Sequence, residues 1–80
     1  MGAMTLLVDH RDAELKLSSD GNVFCLRYPD NNEHRVGIYA VGRIVVHGEA
    51  KLSAAVLRAC DKANVSLVIL HDFRLLNGLD

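Results

Sequence analysis

A continuous β-branched run, a helical stripe and a second continuous apolar run follow one another between residues 44 and 70, and that order leaves few folds open. Ile44-Val45-Val46 has no polar alternation, as expected of a strand covered on both faces. Leu52, Ala55, Val56, Ala59, Cys60 and Ala63 then recur at helical spacing, which predicts a helix over about 53–63 with Ser53 as N-cap. Asn64 tolerates the left-handed conformation that ends a helix, and Val65-Ser66-Leu67-Val68-Ile69-Leu70 reads as a further buried strand. Strand, helix and strand together predict a right-handed crossover.

Upstream the period changes to two. Ala13, Leu15 and Leu17 alternate with Glu14, Lys16 and Ser18, the pattern of a strand with one dry and one wet face. Asp20-Gly21 reverses the chain into Val23–Tyr28, and Pro29-Asp30-Asn31-Asn32 reverses it again toward Val36, Ile38 and Ala40. Thr5-Leu6-Leu7-Val8, ended by Asp9-His10-Arg11-Asp12, reads as the first arm of a hairpin with the 13–17 strand. The first forty residues therefore predict an antiparallel meander. The fold class expected is α+β: mostly antiparallel β-sheets in a small two-sheet β domain, with one amphipathic helix in a crossover near the C-terminus.

Eighty residues make one small domain whose core is modest. Nine Lys plus Arg against ten Asp plus Glu give a net charge of −1, which excludes a dedicated basic nucleic-acid module, and four aromatics exclude a broad base-stacking surface. No charged n-region or membrane-length apolar stretch is present, so a cytoplasmic protein with no membrane contact is expected. Met1-Gly2-Ala3 reads as a leader before a start at Met4. Cys25 and Cys60 lack metal or disulfide spacing and read as buried thiols.

Several stretches carry a family likeness. Thr5–Val8 with the Ala13–Leu17 strand, Ile44-Val45-Val46-His47-Gly48, Leu52–Cys60 and Asn64–Leu70 occur in the order found in the N-terminal β domain of the CRISPR adaptation integrases, the family called Cas one. The chain resembles that domain over 4–76, by order and spacing together, and 77–80 would then begin a linker to a helical catalytic domain. The resemblance implies a homodimer that assembles with the small CRISPR partner protein Cas two and inserts short foreign DNA into the CRISPR array. It places the divalent-metal chemistry, Mg2+ or Mn2+ held by Glu, His and Asp, beyond residue 80. No catalytic residue and no cofactor is therefore expected in these eighty residues. In the family the first hairpin faces bound duplex or forked DNA, which would set His10 against a base pair and Arg11 against a phosphate. Considered without the resemblance, His10 among Asp9, Arg11 and Asp12 reads as a solvated turn.

Three other constellations have weighed readings. His47 with Glu49 and His71 with Asp72 flank the helix and would make a ligand set for a free-standing small enzyme if their strands were adjacent and parallel, but neither pair has metal-motif spacing. Lys51, Arg58 and Lys62 fall along one helix edge, which is ordinarily a solvated face, and Leu57 projects away from the apolar stripe, where a single exposed leucine needs no explanation; the alternative is that the helix packs there on a partner or a further domain. Sheet edges need a cover, and the apolar content of the strands holding Val36, Ile38 and Tyr39, and Ile44 and Val46, exceeds what one helix covers. Those five residues are the expected dimer interface. An unrelated dimerisation module is the remaining alternative.

Overall fold

A computed structural model describes residues 2–70. Its elements run β1 (Met4–Val8), β2 (Glu14–Leu17), β3 (Val23–Arg27), β4 (Glu33–Gly37), a 3-10 turn (Ile38–Ala40), β5 (Val41–His47), β6 (Lys51–Leu52), α1 (Ala54–Ala63) and β7 (Ser66–Leu70). The architecture is α+β, with two sheets and one helix, as the periodicities require. One sheet has the order β1-β5-β7 and the other β4-β3-β2-β6.

The antiparallel pairs are β2 with β3 and β3 with β4. Gly21, at φ 78°, makes the first reversal possible, because a side chain there would be strained. Asn31, at φ 71°, turns the second in the same left-handed region, which asparagine tolerates best among residues with a Cβ. The expected first hairpin does not form. β1 instead pairs in parallel with β5, Leu6 opposite Ile44 and Val8 opposite Val46, while β2 lies in the other sheet. The polar connection at 9–13 passes the chain from sheet to sheet rather than folding it back. The meander thus begins at β2, and β1 is outside it.

The helix agrees closely with its periodicity. The Ser53 hydroxyl accepts from the Val56 amide at 3.4 Å, and Asn64 closes the C-terminus at φ 57°, ψ 43°. Between β5 and α1 the chain first adds β6 to the edge of the four-stranded sheet, parallel to β2, so the crossover visits both sheets. It then returns as β7, parallel to β5.

Leu15, Phe24 and Leu26 of one sheet, Val8, Ile44 and Val46 of the other, and Val56, Ala59 and Cys60 of the helix form one core cluster. Two expectations about burial change here. Ile44 and Val46 are buried but Val45 is only partly so, and Val68, Ile69 and Leu70 are 41%, 51% and 49% exposed. Among the described residues the parallel sheet is therefore covered on its inner face alone, not on both, because the helix packs with β2 and the 3-10 turn. Its continuous apolar runs leave an outer row, Leu7, Val45 and Val68, aligned across three strands by register.

The expected 36–40 strand also changes. β4 ends at Gly37, and Ile38 turns inward as its amide donates to the Asn22 carbonyl at 3.0 Å. An alternation of apolar residues that spans the end of a strand does not keep to one face.

Candidate nucleic-acid and subunit interface

The connection from β1 to β2 carries His10 and Arg11, both exposed. It is a tight turn: the Ala13 amide donates to the His10 carbonyl at 3.1 Å, and the Asp12 amide donates to His10 Nδ1 at 3.0 Å. An imidazole whose Nδ1 accepts must hold its proton on Nε2, so neutral His10 presents a single outward donor. Arg11 Nη2 lies 2.7 Å from Glu49 Oε2, with the two side chains 56% and 48% exposed. An exposed ion pair of this kind contributes at most about 1 kcal/mol, so exchanging the carboxylate for another anion costs little.

Sequence reasoning missed what lies beside this turn. The His10 and Tyr28 rings meet edge to face with centroids 6.2 Å apart, and Tyr28 meets His34 likewise at 5.9 Å. With Pro29, Asp30 and Asn32 these rings line a shallow concavity. Desolvation, followed by the charge and hydrogen bonding of Asp9 and the charge of Asp30, raises the Tyr28 phenol above its ordinary range, so it remains a donor at physiological pH. The residues come from two separate stretches of chain, His10 and the 28–34 reversal, so only the sheet topology could reveal the cluster.

The connection from β5 to β6 holds His47 and Glu49. Strands β5 and β7 are adjacent and parallel, as the ligand-set reading required, with His47 opposite Leu70. His47 Nδ1 accepts from the Glu49 amide at 3.1 Å and Glu49 pairs with Arg11, while His71 and Asp72 lie outside the described residues. Among the described residues no three His, Cys, Asp or Glu side chains come together in a way that could hold a metal ion such as Mg2+ or Mn2+. Cys60 is buried, and desolvation raises its thiol. Cys25, expected to be buried, is only partly so, because it alternates with Phe24 and Leu26 and lies on the outer side of β3.

The five expected interface residues fall in different places. Ile38, Ile44 and Val46 are buried at 0%, 0% and 1% exposure, Val36 packs partly buried against the core, and Tyr39 is 53% exposed. Strand β5 is central to its sheet, so it offers no free edge. Among the described residues the strands beside it, β1 and β7, are the edges. On the helix Leu57 is 48% exposed, and Arg58 and Lys62 are exposed as an amphipathic pattern requires.

Two packed sheets with one capped helix, and a polar end made by two sheet-to-sheet connections, define a small α+β domain among the described residues. The chain belongs to the family of CRISPR associated protein Cas1, whose family model matches residues 6–76. Proteins of this family are nucleases and integrases of CRISPR systems. A search of the curated proteins finds no match. Among the described residues, no helix is long and apolar enough to cross a membrane.

Proposed function

We propose that this unit is the N-terminal β domain of a CRISPR integrase, acting in the cytoplasm to pair subunits and to hold DNA without performing chemistry. The observation that carries the DNA reading is the exposed His10–Arg11 turn, with one guanidinium and one outward imidazole donor beside the Tyr28–His34 concavity. Arg11 exchanges Glu49 for a phosphate oxygen, and His10 lies against the terminal base pair or donates to the backbone. Divalent-metal chemistry belongs to residues beyond those described. The small CRISPR partner protein, Cas two, joins the full assembly.

Surface chemistry supports the pairing reading. Leu7 and Val68 lie half-exposed on either side of Val45, and Tyr39 projects from the 3-10 turn. Covering them relieves an apolar surface that a modest core leaves open.

Fluorescence anisotropy on forked duplex DNA tests the DNA reading. Binding is expected to be weak and to weaken as salt rises, because the net charge is −1 and few phosphates are neutralised. Replacing His10 and Arg11 together by Ala is expected to lower affinity by about tenfold, the loss of one charge-assisted contact and one stacking contact. In the same mixture with Mn2+ the DNA should stay uncut. An unchanged affinity, or cleavage that disappears on His47→Ala, would overturn the proposal.

A further inference from the structure

The two connections between the sheets are built alike. In His10-Arg11-Asp12-Ala13 and in His47-Gly48-Glu49-Ala50, the fourth residue's amide donates to the histidine carbonyl, at 3.1 Å and 3.0 Å. In both, the third residue's amide donates to the histidine Nδ1, at 3.0 Å and 3.1 Å. The turns follow neighbouring parallel strands, β1 and β5, and lead into neighbouring parallel strands, β2 and β6. Arg11 of one joins Glu49 of the other at 2.7 Å, and the Lys51 amide, just after the second turn, donates to the Ala13 carbonyl at 2.9 Å. The sequence shows the same pattern as His-x-acid-Ala at 10–13 and again at 47–50.

We propose that these twin histidine turns, joined across the end of the two sheets, form a proton-sensitive clasp in which each turn is ordered while its own imidazole is neutral and loosens when that imidazole is protonated. The chemistry is direct. A neutral imidazole offers one acceptor, and here Nδ1 uses it on a backbone amide. A protonated imidazole has N–H on both nitrogens, so Nδ1 then faces the amide donor to donor and the bond is lost.

The surroundings of His10 are mixed. On its own turn stand Asp9, Arg11 and Asp12; from beyond β3 comes Tyr28, and from β4 His34, with Asp30 lining the same concavity. Glu49 reaches the turn only through Arg11. Around His47 the described residues place Glu49 on its own turn and Leu70 alongside on β7. The bonds require the neutral form, so the order they confer is lost when the ring is protonated. The clasp does not depend on the DNA reading, although it would govern how firmly Arg11 is held.

Amide exchange and nitrogen–proton correlation spectra of the chain between pH 8 and 5.5, above the ordinary carboxylate range, test it. As the His10 and His47 ring signals titrate, the Asp12 and Glu49 amides should shift on the same curves and lose protection severalfold to about tenfold, the loss of one ordinary hydrogen bond. His10→Asn supplies an uncharged acceptor that can serve the same amide as an Asx-turn. It should keep the Asp12 amide protected and remove its pH dependence while Glu49 still follows His47. His47→Asn should give the mirror result. The clasp is overturned if the wild-type amides keep position and protection while the rings titrate, or if the Asp12 dependence survives in His10→Asn.

Discussion

Phe24→Ala is expected to remove a large part of the domain's stability. Among the described residues Phe24 is the largest fully buried side chain, at 0% exposure, and it lies on the inner face of β3 where the four-stranded sheet meets the shared core. Removing a buried phenylalanine ring costs about 3–5 kcal/mol, combining lost transfer energy with the cavity left behind. A domain of this size has roughly 5–10 kcal/mol in all, so from about a third to all of the total is lost. Thermal unfolding followed by circular dichroism should show the midpoint falling by more than about 15 °C. A drop of a few degrees would mean that the two sheets do not share one core through this ring.

The second large effect separates core from interface. Ile44 lies at the middle of the central strand β5 at 0% exposure, opposite Leu6 on one side and Leu67 on the other. Ile44→Ala is therefore expected to destabilise the folded monomer by about 2–5 kcal/mol, whatever the protein concentration. Were Ile44 an interface residue, the same change would leave the monomer intact and weaken only self-association. Urea unfolding at two concentrations a hundredfold apart distinguishes these. Equal losses at both place Ile44 in the core, and a loss seen only where the dimer is populated returns it to the interface.

The contrast shows which parts of this molecule are legible in its sequence. The helix was, because Ser53, the apolar stripe and Asn64 agree on its start, face and end, and local signals of that kind survive packing. The two reversals around β3 were legible too, since Gly21 and Asn31 stand where the chain requires positive φ. Strand partnership was not. Leu6-Leu7-Val8 is apolar at consecutive positions, so its pattern cannot say whether it pairs with the next strand or with one nearly forty residues later. The polar connection after it suits a hairpin and a change of sheet equally well.

The same limit explains the interface residues. Continuous apolar strands suggested more surface than one helix could cover, and that inference was sound for the sheet, whose outer row is partly exposed. It could not say which members of the runs face outward. Register resolves this, sending Ile44 and Val46 inward and Val45 outward with Leu7 and Val68. Of the candidate DNA site, His10 and Arg11 could be read from the chain. Tyr28, His34 and Glu49 could not, because they reach the turn only through the paired sheets. The repeated His-x-acid-Ala pattern was visible, yet it acquires meaning only once parallel pairing sets the two turns side by side.

Sedimentation equilibrium over a wide concentration series tests the pairing role most directly. The mass should rise from 8.8 kDa toward twice that value with increasing concentration. Tyr39→Asp or Leu7→Asp should hold the protein at the monomer mass, while Leu57→Asp, on the outer side of the helix, should leave association unchanged. A mass near 8.8 kDa at every concentration, or a dimer that survives both Tyr39→Asp and Leu7→Asp, would contradict subunit pairing through this domain.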